Sequence, residues 1–209
     1  AVQDLLSAGT NARKAADFAA SEKLFRTILT SHPSSPLVHE ATYNLSLVLI
    51  DQGQESESLP LLESIQNSER EPDALLEIGR IALSQDDLQK SERTFSSLRS
   101  RFPKSKSAEN SYLVLGAWYE SHLDWGRAIA TYEGARKARL GAGTQQQIIL
   151  GLARVYRASG KDALQLYTQF LEVYPGSPFL PDARLGLGRS YVDKEQYQQA
   201  IEGFKRLQE

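Results

Sequence analysis

Apolar residues recur along this chain at the spacings i, i+3, i+4 and i+7. They do so over about 14 residues and, after a short polar break, over about 14 more. This spacing places the apolar side chains on one face of an α-helix. The pattern therefore predicts amphipathic helices that are joined in pairs by short turns.

The predicted helix pairs form six similar segments, which follow one another at spacings of 33 to 37 residues. Small residues mark the same two places in most segments, one in each helix, and this predicts close approach of the two helices. One pair cannot bury both of its apolar faces, so each pair must stack on the next. The small residues of the first helices are Gly9, Gly79, Gly116 and Gly188, and those of the second helices are Ser21, Ser91, Ala128, Ala163 and Ala200.

This arrangement resembles the tetratricopeptide repeat over nearly the whole chain. The resemblance implies an all-α fold, a right-handed α-solenoid of about six helix-turn-helix repeats in a single domain, 1–209. The last segment lacks the polar capping helix that solenoids carry, and residue 1 is Ala rather than Met, so we interpret the chain as a fragment of a longer protein. The expected repeats are 2–36, 37–71, 72–106, 107–143, 144–178 and 179–209.

One segment departs from the pattern, because Pro60 falls inside its second helix. Proline has no N–H to donate, and its ring clashes with the carbonyl group four residues earlier. We therefore expect this helix to begin late, near Ser58, rather than at Glu55.

The composition removes several classes of function. Lys and Arg total 24 against 26 for Asp and Glu, so no strong basic field is available to hold nucleic acid or an anionic membrane. The chain has no Cys, which excludes disulfides, thiolate zinc sites, iron–sulfur clusters and cysteine nucleophiles. No apolar run approaches the roughly 18 residues that a membrane-spanning helix needs.

No catalytic, cofactor-binding or metal-binding pattern is visible. A Gly-rich phosphate-binding motif is absent, and His32, His39 and His122 include no i, i+4 pair. We therefore expect a protein that is not an enzyme and that carries no cofactor or metal. Aromatic residues fall on packing positions of the repeat, so we assign them to the core rather than to a base-stacking surface. They are Tyr112, Tyr119, Trp125 and Tyr132.

The family resemblance also implies a binding surface, because the first helix of each tetratricopeptide repeat lines a concave groove. Arginine recurs at one groove position, and leucines lie near it, which predicts a partner segment that is acidic and amphipathic, either extended or helical. A solvated, salt-bridged surface is the alternative for the arginines. The Lys and Asn set that binds chaperone C-termini is missing. The candidate groove residues are Tyr43, Asn44, Arg80, Asn110, Leu113, Leu150, Arg154, Arg157 and Arg189.

These features favour a non-enzymatic scaffold for protein–protein interaction. Three turns contain Pro followed by Ser105, Ser177 or Ser35, and they resemble turns of bacterial envelope tetratricopeptide proteins. That group includes the TolA-binding periplasmic protein and the outer-membrane lipoprotein of β-barrel assembly. The resemblance implies a role in assembly of an envelope complex, in the periplasm or at the outer membrane. Helix termination by Pro and capping by Ser would explain the same turns.

Two other interpretations stay open. The chain could serve as an accessory domain of a larger enzyme or of a cytoplasmic signalling protein. Self-association through the terminal repeats is the other alternative, since Tyr197, Phe204 and Leu207 would be left partly uncovered there.

Overall fold

The computed structural model describes residues 1–205, which form twelve α-helices and no strand. The predicted all-α class and the six helix pairs are therefore confirmed. The helices are α1 (Val2–Lys14), α2 (Phe18–Ser31), α3 (Val38–Asp51), α4 (Glu55–Ser64), α5 (Glu71–Ser84), α6 (Leu88–Arg101), α7 (Lys106–Ser121), α8 (Trp125–Arg136), α9 (Ala142–Ala158), α10 (Leu164–Val173), α11 (Leu180–Asp193) and α12 (Tyr197–Lys205).

The chain divides into two compact units, Ala1–Ala108 and Glu109–Glu209. The first unit holds α1 to α6 and the beginning of α7, and the second holds the remainder of α7 through α12. Most helices pack on their neighbour in sequence within each unit, as α1 does on α2 and α2 on α3. In the second unit, α9 also contacts α11, so first helices of successive pairs lie side by side.

A tight turn joins the two helices of each pair, and it always contains one residue with a positive φ angle. Only Gly adopts this conformation without steric cost, yet four of the six residues carry a side chain. In three of the turns, Asp17, Asp87 or Asp124 comes next and accepts a 3.0 Å hydrogen bond from a backbone N–H of the following helix. The six residues are Ala16, Gly53, Asp86, Leu123, Gly160 and Glu195.

Glycine and aromatic residues pack together inside the helix pairs. A Cβ atom on Gly79 would lie 2.1 Å from the ring of Phe95, and one on Gly116 would lie 2.4 Å from the ring of Tyr132. Any side chain at either glycine would force the helices apart. The predicted close approach of the two helices is confirmed, and Tyr132, only 2% exposed, lies in the core as expected.

The predicted late start of α4 is wrong. This helix begins at Glu55 and runs through Pro60 to Ser64. The Pro60 ring is exposed, and the carbonyl group that it deprives of a partner belongs to Ser56, which is also exposed, so water can replace the missing bond. The helix has 10 residues, whereas α2 and α6 have 14.

In each of the three proline-containing turns, a serine hydroxyl accepts a backbone hydrogen bond close to the start of the following helix. The hydroxyl oxygen of Ser35 accepts a hydrogen bond from the backbone of Leu37 at 3.2 Å. Ser105 accepts a hydrogen bond from the backbone N–H of Ala108 at 3.1 Å, and Ser177 accepts one from the backbone N–H of Phe179 at 3.0 Å. These serines therefore have a structural role in the turns. The capping explanation holds for Ser105, which directly precedes α7, whereas α3 and α11 have no side-chain cap.

Candidate partner-binding groove

The second unit contains a groove of about 480 Å³ that is bounded mainly by its first helices, α7, α9 and α11. We call it the second-unit groove. Tyr132 and Tyr167, from the second helices α8 and α10, are buried beneath it. The lining residues are Leu113, Ala117, Tyr132, Gln147, Leu150, Arg154, Arg157, Tyr167, Phe179, Asp182, Leu185, Gly186 and Arg189.

Three leucines occupy the same repeat position on α7, α9 and α11, and they form a leucine row across the groove. The row consists of Leu113, Leu150 and Leu185. Leu150 is buried, whereas Leu113 and Leu185 are half-buried. Because one partly exposed leucine lies on each outer helix, the row offers an apolar surface to a ligand.

Polar residues lie on both sides of the leucine row. Arg154 and Arg189 form the basic edge of the groove, and each lies four positions after the leucine of its own helix. Gln147 and Asp182 form the opposite edge, three positions before the same leucines. Positions i, i+3 and i+7 share one face of a helix, so α9 and α11 present the same order of polar, apolar and basic side chains.

Side-chain bonds link neighbouring first helices on either side of this row. Near the start of α9, the Glu109 carboxylate accepts hydrogen bonds from the Gly141 N–H and the Thr144 hydroxyl, each at 2.7 Å. At the far end of α9, Arg157 Nε forms an ion pair with Asp193 Oδ2 of α11 at 2.7 Å. These links fix the register of the three helices on which the groove depends.

Arg154 is held inside the second unit by Glu120. Its Nε and Nη2 atoms donate to the two carboxylate oxygens of Glu120 at 2.6 and 2.8 Å. The Tyr132 hydroxyl donates to the same carboxylate at 2.6 Å. Hydrogen bonds from Arg154 to Glu120 raise the pKa of Arg154, and burial followed by the bond to Glu120 raises the pKa of Tyr132. The positive charge of Arg154 is therefore already balanced by the carboxylate of Glu120.

Arg189 differs from the other two arginines of the groove. Its side chain is exposed, and within residues 1–205 no carboxylate lies at ion-pair distance from it. Burial raises the pKa of Tyr167, while the positive charges of Arg154, Arg157 and Arg189 act in the opposite direction. Arg189 thus supplies the guanidinium that an incoming carboxylate would meet.

Five of the nine candidate residues lie together in this groove. They are Leu113, Leu150, Arg154, Arg157 and Arg189. Asn110 also lies on α7, half-buried, but it does not line the groove. For Arg154 and Arg157 the salt-bridged alternative holds, because each is paired with a carboxylate. Among the three arginines of the groove, Arg189 is therefore the one that has no carboxylate partner in the described chain.

The other three candidates belong to the first unit. Asn44 donates to the carbonyl and carboxylate of Glu40 in its own helix, at 2.8 and 3.0 Å, so its amide group is engaged. The Arg70 guanidinium lies 5.3 Å from the centroid of the Tyr43 ring, and burial raises the pKa of Tyr43 to about 12. Arg80 is exposed, with Nε 3.8 Å from the Glu77 carboxylate.

Sequence reasoning missed Gln147 and Asp182, the two residues that form the edge opposite the arginines. Both occupy the repeat position of Asn110, which was a candidate, so applying that position to the last two repeats would have found them. Phe179 was also missed; it lies at the start of α11 and has no counterpart in the predicted set.

The last helix pair leaves apolar side chains uncovered. Tyr197 is 60% exposed, and Ile201, four residues further along α12, is 48% exposed. Phe204 is half-buried against Gly188. Leu207, which was also expected to be uncovered, lies outside the described residues.

No group of three or more His, Asp or Glu side chains in residues 1–205 is arranged to hold a metal ion. None of the helices in that part of the chain has the length and apolar character needed to cross a bilayer.

Sequence comparison identifies the family. Residues 6–72 and 148–209 match one tetratricopeptide repeat model, and residues 73–105 match a second model of the same description. The chain therefore belongs to the tetratricopeptide repeat family. No curated protein matches it in sequence.

Solved structures confirm the fold. Part of a tetratricopeptide repeat protein from Cytophaga hutchinsonii is 11% identical with a TM-score of 0.72, covering 97% of this chain and 77% of that one. One from Parabacteroides merdae is 12% identical with a TM-score of 0.65, covering 99% and 78%. PilF from Pseudomonas aeruginosa is 16% identical with a TM-score of 0.65, covering 99% and 91%. The tetratricopeptide fold implies a scaffold for protein–protein interaction, and members of the family are typically non-enzymatic.

Proposed function

We propose that this protein is a non-enzymatic scaffold that binds a segment of a partner protein in the second-unit groove. The observation that carries the proposal is the leucine row, which lies between Arg189 on one edge and Asp182 on the other. Apolar contact supplies affinity in such a groove, and the charged groups fix the orientation of the bound segment.

The proposed partner segment is amphipathic and carries acidic side chains. A guanidinium binds a carboxylate with two parallel hydrogen bonds, and Arg189 has no such partner in the described chain. Arg154 contributes to the groove wall rather than to recognition, because Glu120 occupies it.

Quantitative affinity capture from cells of the source organism tests this function. Arg189→Ala and Leu113→Gln alter the groove, and circular dichroism establishes that both variants are folded. Arg139→Ala and Leu123→Gln are matched controls, because both residues are exposed and neither lines the groove. We expect each groove variant to lose at least about fivefold of the captured partner, and the controls to retain it. Equal loss in the control variants, or no loss in the groove variants, would place binding elsewhere.

We further propose that the scaffold acts in assembly of a bacterial envelope complex, in the periplasm or at the outer membrane. The support is the likeness of the turns containing Ser35, Ser105 and Ser177 to turns of envelope tetratricopeptide proteins. Fractionation of cells that produce the full-length protein tests this location. Recovery in the envelope fractions with its partner is expected, whereas recovery with a cytoplasmic partner would contradict it.

A further inference from the structure

We infer that the partner segment binds the second-unit groove as an amphipathic α-helix that lies across α7, α9 and α11. The acidic flank of this partner helix faces Arg189, and its basic flank faces Asp182. This inference rests on the proposed function of the groove. It adds the conformation of the partner segment and the direction in which that segment lies.

The groove walls favour a helical partner over an extended one. The walls are α-helices, whose internal backbone N–H and C=O groups are already paired within each helix. An extended segment would find no strand edge to pair with, and its own backbone groups would lose water without gaining partners. A helix satisfies its backbone internally and needs only side-chain contacts.

The spacing of the leucine row also suits a helix. Helices in contact lie about 8–10 Å apart, so we expect Leu113, Leu150 and Leu185, which line the groove from α7, α9 and α11, to recur at about that interval. Residues i and i+7 of an α-helix lie about 10.5 Å apart on the same face. In a β-strand, residues i and i+3 lie about 10 Å apart, but their side chains point to opposite faces.

A polyproline helix has a comparable repeat, but the groove surface does not suit it. Grooves that bind polyproline segments present exposed aromatic rings. Here the rings of Tyr132 and Tyr167 are only 2% and 4% exposed, and Phe179, the remaining aromatic residue of the lining, is half-buried at the start of α11. Leucine forms the centre of the contact surface. An aliphatic stripe of this kind matches the apolar face of an amphipathic α-helix.

The two edges of the groove orient the helix. Glu120 forms an ion pair with Arg154, so Arg189 is the cation that remains for the acidic flank of the partner helix. Asp182, two helical turns earlier on α11, attracts a cation to the other edge. Turning the partner helix end for end would exchange its edges and bring like charges together, which costs affinity. The groove therefore selects one direction.

Designed peptides test this inference even while the natural partner is unidentified. The probe is a fluorescein-labelled peptide of about 18 residues with blocked ends, leucines at i, i+3, i+7, i+10 and i+14, glutamates on one flank and lysines on the other. A lactam bridge on its outer face fixes the helix. One comparator has a central proline and no bridge, and another has the same composition with the two flanks exchanged.

Fluorescence anisotropy and cross-linking report the outcome. We expect the bridged probe to bind at least about tenfold more tightly than the proline peptide. Arg189→Ala should weaken the probe by about three- to tenfold, while Arg139→Ala leaves it unchanged. A photoreactive group at the peptide N-terminus should attach to α7 for one flank arrangement and to α11 for the other.

Three results would overturn the inference. They are equal binding of the proline peptide, attachment to the same helix for both flank arrangements, and no binding by any of the peptides. The proposed function is decided separately, because it depends on capture of the natural partner by the Leu113→Gln and Arg189→Ala variants. If the groove variants lose the natural partner but the bridged and proline peptides bind equally well, the proposed function is retained and the helical conformation of the partner is rejected.

Discussion

Glu120 holds the guanidinium of Arg154 with both of its carboxylate oxygens, at 2.6 and 2.8 Å, and the buried Tyr132 hydroxyl donates to the same carboxylate. Three helices, α7, α8 and α9, meet in this one contact. The corresponding residue of the next repeat, Arg189, has no such carboxylate in the described chain. Two arginines at the same repeat position therefore differ in their contacts. Arg154 is engaged within the fold, and Arg189 is the one for which we propose a role in recognition.

Alanine at Arg154 should reduce stability, whereas alanine at Arg189 should not. Removal of Arg154 leaves Glu120, 15% exposed, without its counter-charge. Since Arg154 itself is 57% exposed, solvent screens the pair, and we expect a loss of about 1 kcal/mol in the free energy of unfolding. Arg189→Ala should stay within about 0.5 kcal/mol of the parent. Urea unfolding monitored by circular dichroism measures both, and equal losses would contradict the distinction.

Gly79→Ala should be strongly destabilising. The added methyl group would lie 2.1 Å from the fully buried ring of Phe95, so the helices α5 and α6 must separate or the ring must leave its rotamer. Overpacking of this kind costs about 1–3 kcal/mol. Gly134→Ala is the control, because Gly134 lies in α8 with no atom near the added methyl group. That variant should gain about 0.5–1 kcal/mol in a thermal or urea melt.

Two buried serines at equivalent positions should respond in opposite ways to alanine. The Ser21 hydroxyl donates to the Gly9 carbonyl at 2.8 Å, whereas the Ser91 hydroxyl has no hydrogen-bond partner. We expect Ser21→Ala to cost about 1 kcal/mol and Ser91→Ala to be neutral or stabilising. Parallel urea titrations compare them, and a larger loss for the Ser91 variant would show that its hydroxyl is bonded in solution.

Glu77→Gln should stabilise the protein in a pH-dependent way. Burial raises the pKa of Glu77, and the nearby Arg80 only partly offsets this effect. The folded state therefore disfavours the ionised carboxylate. The resulting stability is present below the ordinary carboxyl pKa and is lost as pH rises through the raised one.

The difference between the Glu77→Gln variant and the parent should accordingly be small at low pH and grow in favour of the variant toward pH 7. Unfolding free energies measured across this range provide the check. A constant difference at every pH would assign the effect to something other than ionisation of Glu77.

Much of the fold was predictable because it depends on local chemistry. Helix periodicity and small residues such as Gly79 directly predict the helix pairs, since each constraint acts within one repeat. Pro60 was misjudged because its cost depends on whether the carbonyl of Ser56 reaches water, and exposure is a tertiary property. The sequence shows a proline in a helix but not the side of the helix on which it lies.

The site was predictable in part for a related reason. Repeat positions predicted that Leu113, Leu150 and Arg189 share one surface, and the three line the second-unit groove because equivalent positions fall on equivalent faces. The pairing of Arg154 with Glu120 joins residues 34 positions apart, and sequence spacing does not reveal which side chains meet across two helices. Repeat position therefore identifies groove residues, whereas their availability for binding depends on three-dimensional contacts.

The most direct measurement of the central claim is photo-cross-linking of the natural partner. A photoreactive amino acid replaces Leu113 in the leucine row, and in a second protein it replaces Leu123, which is 68% exposed in the turn after α7. Binding in the second-unit groove predicts a cross-linked partner from position 113, in a yield that Arg189→Ala lowers at least about fivefold, and none from position 123. Attachment from position 123, or attachment from 113 that is undiminished without Arg189, would contradict the claim.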